Sequence, residues 1–215
     1  MVGAIAGQEE ATCRVIDALL KLKEGAYEPS RNRRMTGSFE DARRLALTVL
    51  NPSASGRRRY VARLKLTHYF RECLRMEPQG EVLLRKCAAD GVRLFADSSQ
   101  PADSGLAHFS DDRPLRAGDL VSAAHGSAMK DVYAPKEFRL RRRPSDDVHL
   151  FYGYGRHKCL GQFISPVIIV ETMISVLALE NLQRASQLQL DAKNLYAKQL
   201  RVRYSDSGST RQFYG

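Results

Sequence analysis

The sequence contains no tryptophan, and its 215 residues include only four cysteines. They form no CxxC pair and are too few for a disulfide scaffold, so we expect a reducing compartment. The longest apolar run, residues 163–179, is interrupted by Glu171 and falls short of the about 20 apolar residues that span a membrane. The N-terminus lacks the features of a signal peptide, because two acids follow its short apolar stretch. These features predict a cytoplasmic protein, or one bound peripherally to a membrane.

Acidic residues are also in short supply, since 34 Lys and Arg stand against 24 Asp and Glu and give a net charge of +10. Such an excess is typical of proteins that bind nucleic acid, anionic membranes or acidic ligands. The basic runs Arg57–Arg59 and Arg139–Arg143 have no interleaved aromatic residues and match no nucleic-acid-binding motif. We therefore expect solvated loops and no nucleic-acid partner. A basic binding protein remains an alternative, which a salt-dependent shift of duplex DNA would reveal.

Hydrophobic periodicity predicts a mainly helical chain with small β-sheets. The predicted helices span residues 4–22, 41–50, 57–76 and 160–184, and the predicted strands span residues 82–84, 92–95 and 120–124. Ser38, three residues before Asp41, predicts a helix N-cap, and a strand pair is expected around residues 206–208. Pro166 falls inside the last predicted helix, which must therefore kink there or begin near it.

The segment from Phe151 to Gly161 surrounds a single cysteine, Cys159, with glycines and leads directly into the last apolar helix. A cysteine at a helix N-terminus lies at the positive end of the helix dipole, and free backbone N–H groups can donate to its sulfur. The pattern therefore favours a thiolate site. An inert thiol in a glycine turn is the ordinary alternative. A zinc site of His149, His157 and Cys159 matches no common ligand spacing.

The same segment resembles the haem-binding signature of the cytochrome P450 superfamily, Phe-x-x-Gly-x-Arg-x-Cys-x-Gly. The corresponding residues are Tyr152, Gly155, His157, Cys159 and Gly161, with Tyr and His in the places of Phe and Arg. The resemblance implies haem b with Cys159 as the thiolate ligand of the iron. It also implies that His157 donates to a haem propionate and that Tyr152 packs beside the sulfur.

Two further motifs resemble this family in the expected order. Glu72-Cys-Leu-Arg75 resembles its Glu-x-x-Arg helix, and the i, i+3 spacing places acid and base on one helical face. Residues 133–142 look like the meander that supplies a third partner, Arg142, with Arg143 as the alternative. The resemblance implies a buried network of Glu72, Arg75 and Arg142, whereas an isolated Glu-x-x-Arg is usually a solvated pair.

The resemblance covers nearly the whole chain but only the C-terminal half of a usual family member. It predicts a partial cytochrome P450 domain over residues 1–205, from the distal helix through the haem-binding loop to the last helix, and a tail over residues 206–215. The chain begins inside an apolar helical segment, which indicates a fragment of a longer protein. We expect such a fragment to bind haem weakly, because a site open on one side cannot exclude water.

Within the family, Gly-x-Gly-x-His-x-Cys-Leu-Gly is similar to the cytochrome P450 domain of fungal fatty-acid dioxygenase fusions, the linoleate diol synthases and psi-producing oxygenases. This resemblance implies a fatty-acid or other apolar substrate. It also implies an N-terminal dioxygenase domain outside this chain.

The residues of the predicted distal helix help to distinguish a monooxygenase from a hydroperoxide isomerase. Glu10 stands where monooxygenases carry a threonine that helps to deliver protons, and Thr12 lies about 200° further around the helix. This argues against ordinary dioxygen activation and favours a hydroperoxide isomerase, whose substrate already contains the O–O bond. In the diol synthases an Asn-Gln run holds the hydroperoxide; here Gln8 is retained and Gly7 replaces Asn. Gln8, Glu9 and Glu10 are the distal candidates. A monooxygenase supplied by a reductase, and an inactive fragment, are the alternatives.

Overall fold

The protein is described by a computed structural model. It describes residues 2–28, 36–79, 83–91, 114–130, 135–140, 149–153, 158–190, 197–206 and 209–214. The strand predicted at residues 92–95 lies outside these ranges.

The chain is mainly helical, as the sequence predicts. Its α-helices are α1 (Val2–Lys23), α2 (Phe39–Leu50), α3 (Gly56–Met76), α4 (His125–Lys130) and α5 (Ser165–Leu177). Two short 3-10 helices, Leu150–Tyr152 and Leu160–Gln162, flank the cysteine loop.

The helix ends follow local chemistry. Ser38 caps α2, because its hydroxyl accepts a hydrogen bond from the Asp41 backbone N–H at 3.1 Å. Ser55 caps α3 in the same way through Arg58. Gly25 ends α1 with a φ of 75°, a left-handed conformation that glycine adopts without steric cost.

The prediction of one helix over residues 160–184 is wrong. The segment contains the 3-10 helix, then α5, then a strand over Glu180–Arg184. Pro166 lies in the first turn of α5, where the missing N–H has no helical acceptor and the fixed φ suits the helix. The apolar run continues to Leu179, so composition alone does not mark the helix end.

Seven short strands form three antiparallel sheets within the described ranges. They are β1 (Leu83–Lys86), β2 (Leu120–Ala123), β3 (Glu180–Arg184), β4 (Gln189–Leu190), β5 (Ala197–Gln199), β6 (Arg201–Asp206) and β7 (Ser209–Tyr214). β1 pairs with β2, β4 with β5, and β6 lies between β3 and β7. Pairing of Asp206 with Ser209 confirms the predicted strand pair. The domain boundary at residue 205 stays a prediction.

The chain forms two compact units. The smaller, Val82–Ala124, contains the β1–β2 pair, and the larger comprises Met1–Glu81 with His125–Gly215. In the larger unit, α1, α2, α3 and α5 pack against one another around one apolar core. Its fully buried side chains include Val15, Leu19, Leu66, Phe70, Met173 and Ile174. Among the described residues, no helix has both the length and the apolar character needed to cross a membrane.

Candidate functional site

The cysteine loop is closed by a backbone hydrogen bond in front of α5. The Cys159 N–H donates to the Tyr152 carbonyl at 2.8 Å, and the Cys159 carbonyl accepts from the Gln162 N–H at 3.3 Å. Of the four cysteines, Cys159 alone is exposed. A Cβ atom on Gly161 would lie 3.5 Å from the Cys159 Sγ, so glycine leaves this side of the sulfur open. The loop therefore presents an accessible thiol at a fixed backbone position.

Aromatic packing anchors this loop to α3. The Phe151 ring lies edge-on to Phe70, with centroids 5.7 Å apart, and contacts Tyr152 at 4.8 Å. Burial raises the pKa of the Tyr152 phenol, and the nearby Cys159 raises it further, while the Ser165 hydroxyl opposes the shift. The Tyr152 phenol therefore stays protonated, and its packing beside the sulfur stays a prediction.

The remaining predicted residues of the loop, Gly155 and His157, lie outside the described residues, as does Arg142 of the meander. Their predicted roles stay predictions. Five apolar side chains between Cys159 and the middle of α5 are described and exposed. Leu160 is 96% exposed, and the others are Phe163, Ile164, Val167 and Ile168. We call these five residues the α5 apolar band.

Glu72 and Arg75 form a buried, bidentate ion pair inside α3. Their side chains are 2% and 1% exposed, and the Arg75 Nε and Nη2 donate to the two Glu72 carboxylate oxygens at 2.9 and 2.8 Å. A solvated surface pair, the ordinary alternative for this motif, is thus not what the structure contains. Two parallel N–H···O bonds fix the geometry as well as the charge.

The pair also binds the backbone of the segment predicted as the meander. Arg75 Nη2 donates to the carbonyls of Pro135 and Glu137 at 3.0 and 3.1 Å, and the Arg139 N–H donates to Glu72 at 2.9 Å. Phe138, between these groups, is buried against Tyr69 and Tyr27. The network therefore ties residues 135–139 to the end of α3.

The three distal candidates do not share one face of α1. Gln8 is half-buried and its Nε2 has no hydrogen-bond partner among the described residues; Glu9 is exposed. Glu10 is buried, and its Oε1 accepts from Arg14 Nε at 2.8 Å. Residues two apart on an α-helix point about 200° apart, so Gln8 and Glu10 face opposite sides. The Thr12 hydroxyl donates to the Gln8 carbonyl at 2.8 Å and is thus occupied within its own helix.

Sequence reasoning missed Gln79, which contacts the start of α1, and His125, which lies next to Gln79. The Gln79 Nε2 donates to the Gly7 carbonyl at 2.5 Å, and the His125 Nε2 lies 3.4 Å from the Gln79 carbonyl. Gln79 directly follows Pro78, the proline after the Glu-x-x-Arg helix. This position is the one feature of the sequence that could have drawn attention to Gln79. No spacing rule links residues 7 and 79.

No protein-family model and no curated protein matches the sequence. Solved structures do match. Cytochrome P450 CYP109Q5 from Chondromyces apiculatus aligns with 94% of this chain at 18% identity and a TM-score of 0.58. The chain has the cytochrome P450 fold. An intact type IV self-sufficient cytochrome P450 monooxygenase matches 95% of the chain at 17% identity and a TM-score of 0.58. The CYP116B5 heme domain from Acinetobacter radioresistens matches 89% at 17% identity and a TM-score of 0.53.

The chain spans only part of these cytochrome P450 structures. It covers 42% of CYP109Q5, 36% of the CYP116B5 heme domain and 22% of the self-sufficient monooxygenase.

The residues near Cys159 fit a thiolate ligand of a cytochrome P450 haem. The Cys159 thiol is exposed and has glycine beside it, whereas burial raises the pKa of Cys73 well above its ordinary value. Burial and three nearby carboxylates raise the pKa of Cys13 as well. An iron ligand must be both reachable and able to lose its proton, and of these three thiols Cys159 is the accessible one.

Proposed function

We propose that this chain is the ligand-bearing part of a haem-thiolate enzyme that rearranges fatty-acid hydroperoxides. The observation that carries the proposal is the exposed Cys159 thiol, held by the Tyr152 carbonyl at the entry to α5 inside a cytochrome P450 fold. Cys159 would be the axial ligand of haem b, with His157 as a donor to a propionate. Gly155 and Gly161 would let the flat group approach the backbone. When bound, haem supplies an iron centre that cleaves O–O bonds.

The chain's own residues support an isomerase over an oxygenase. Dioxygen activation needs a group on the distal helix that passes protons, and the two candidates here are engaged elsewhere. One oxygen of the Glu10 carboxylate, Oε1, is bound to Arg14, and the Thr12 hydroxyl is bound to the Gln8 carbonyl. A hydroperoxide substrate does not need this proton delivery. The Gln8 Nε2 atom is buried and has no partner among the described residues, so it is instead suited to donate to oxygen atoms of such a substrate.

Glu72 and Arg75 would have a structural part in this function. They hold residues 135–139 against α3, while Phe151 packs the cysteine loop against the same helix. Arg142 is proposed as the third member of this network. The α5 apolar band begins immediately after Cys159 and would be covered by haem and by parts of the fold outside this chain.

A monooxygenase is the second candidate, favoured by the match to a self-sufficient cytochrome P450 monooxygenase. It would need electrons from a reductase, whereas the isomerase would need none. The proposed isomerase would instead receive its substrate from a dioxygenase, as an additional domain or a separate protein.

The test is spectral. We expect the full chain, reduced in the presence of haem and carbon monoxide, to give the red-shifted band of thiolate ligation, with weak haem affinity. Cys159→Ser should abolish this band, and Cys87→Ser serves as the matched control. The same band in Cys159→Ser would refute the ligand assignment. Consumption of a linoleic acid hydroperoxide without reductant would distinguish the isomerase from the monooxygenase.

A further inference from the structure

The space beside Gly7 is occupied by an amide from another part of the chain. A Cβ atom built on Gly7 would lie 3.3 Å from the Gln79 Nε2, which is closer than most Cβ contacts in proteins. The same nitrogen donates to the Gly7 carbonyl. A side chain on residue 7 and the Gln79 side chain would therefore compete for one position.

Gln79 is itself held in place. Pro78 before it is buried, and the His125 ring lies against the Gln79 carbonyl with its Nε2 at 3.4 Å. A carbonyl oxygen only accepts hydrogen bonds, so this contact is a hydrogen bond in the tautomer whose Nε2 carries the proton. The ordered backbone gives the Gln79 side chain a defined starting point beside α1.

The amides at this place have spare hydrogen-bond donors. Each glutamine Nε2 carries two hydrogens. Gln79 uses one on the Gly7 carbonyl, and within the described ranges no other acceptor binds it. Gln8 Nε2 is buried and binds no described acceptor at all. The Gln79 amide reaches α1 at the Gly7 carbonyl, and the Gln8 side chain begins at the next residue, whose Cα lies about 3.8 Å from that of Gly7.

We propose that Gln79 is the second amide of the distal site, taking the place of a side chain on residue 7 and donating, with Gln8, to the oxygen atoms of a bound hydroperoxide. This inference rests on the proposed function, since it assigns the ligand of that same site. It explains how Gly7 is compatible with an amide pair. The pair would be assembled from two segments that are 72 residues apart in the chain.

The experiment compares two ligands of equal chain length by calorimetry, with the full chain in the presence of haem. The probes are linoleic acid and its hydroperoxide, which differ in the oxygen atoms that the amides would bind. Gln79→Leu should lower the affinity for the hydroperoxide about three- to tenfold, as expected for the loss of one neutral hydrogen bond. The affinity for linoleic acid should not change. Gln183→Leu, on the exposed face of β3, is the matched control and should change neither affinity.

A swap variant gives the second arm. Gly7→Asn combined with Gln79→Ala moves the amide back to residue 7 and frees the space beside it, so it should restore the preference for the hydroperoxide. Gly7→Asn alone should lower the preference, because the new side chain and the Gln79 amide would then compete for the same space. An equal loss of affinity for both ligands in Gln79→Leu would indicate a merely structural role and would overturn the inference. An unchanged affinity for the hydroperoxide would overturn it as well.

The outcome is separable from that of the proposed function. A thiolate band together with a Gln79→Leu variant that keeps its hydroperoxide preference would refute the inference alone. Loss of the preference in a chain without the thiolate band would support the inference and refute the proposed enzyme. Amide hydrogen exchange of the haem-free chain adds an independent readout. Exchange in the first turns of α1 should be faster in Gln79→Leu than in Gln183→Leu.

Discussion

Replacing Arg75 by leucine is expected to destabilise the fold more than any other single change to an ion pair in the described chain. The substitution leaves the Glu72 carboxylate 2% exposed, with its charge no longer balanced by the Arg75 guanidinium. Breaking a buried pair in this way costs about 3–5 kcal/mol of unfolding free energy. Whole domains have only about 5–15 kcal/mol, so the variant should lie close to unfolding at room temperature.

The double variant Glu72→Leu/Arg75→Leu should cost much less than the sum of the two single variants. It removes both charges together, and what remains is the loss of partners for the Pro135 and Glu137 carbonyls and the Arg139 N–H. Such neutral groups cost about 1 kcal/mol each, because those at a loop can turn toward water. We therefore expect a coupling energy of about 3 kcal/mol or more between the two side chains.

The pair Arg63–Glu171 is the matched control. It is also an arginine–glutamate ion pair, but its side chains are 44% and 46% exposed. Exposed pairs contribute about 0–1 kcal/mol, so Arg63→Leu should change stability little. Urea denaturation followed by circular dichroism measures all variants, and Glu72→Gln provides a milder substitution if Arg75→Leu does not fold. An Arg75→Leu variant no less stable than Arg63→Leu would refute the assignment of a buried structural network.

Three further predictions test other parts of the structure. A thiol reagent should modify Cys159 rapidly in the folded protein and leave Cys73 intact, because Cys73 is fully buried and burial raises its pKa; equal labelling would contradict this. Burial, followed by the charge of Glu77, raises the pKa of Tyr27 far above its ordinary value of about 10. As the pH rises above that ordinary value, the phenol loses its proton in the unfolded chain before it does so in the folded one, and the folded state loses stability. Tyr27→Phe removes this phenol, so the unfolding free energy should fall less steeply with alkaline pH in the variant. Pro166→Ala should change the unfolding free energy by less than about 1 kcal/mol, since Pro166 lies in the first helical turn; a loss near 3 kcal/mol would contradict this placement.

The parts of the fold that the sequence predicts are those controlled by local chemistry. Ser38 and Asp41 mark the start of α2 because the cap is a contact between residues three apart. The Glu-x-x-Arg helix is recognisable because both partners lie on one helical face. The end of α5 at Leu177 was not predictable in this way, since β3 begins three residues later within a sequence that stays apolar to Leu179. The pairing of β3 with β6 decides the conformation there.

The same distinction applies to the candidate site. The sequence predicts Cys159 and its glycines because they are contiguous, and it predicts Gln8 from its place on the distal helix. It cannot predict Gln79, because the contact with Gly7 depends on how α1 packs beside the chain that leaves α3. Helical spacing alone shows that Gln8 and Glu10 lie on opposite sides of α1. Only the hydrogen bonds in the structure show that Glu10 is bound to Arg14, whereas the Gln8 Nε2 has no partner among the described residues.

Glu10 belongs to an ion-pair network along α1. Glu10, Arg14, Asp17 and Lys21 follow one another at spacings of four, three and four, so they form one ionic stripe along the helix. The structure buries Asp17 in this stripe and binds it to Arg184 as well as to Lys21. Glu10 lacks the hydroxyl of the threonine that the resemblance to monooxygenases predicts at this position. Under the proposed function, amides would therefore hold the oxygen atoms of a hydroperoxide, which needs hydrogen-bond donors there and no delivery of protons.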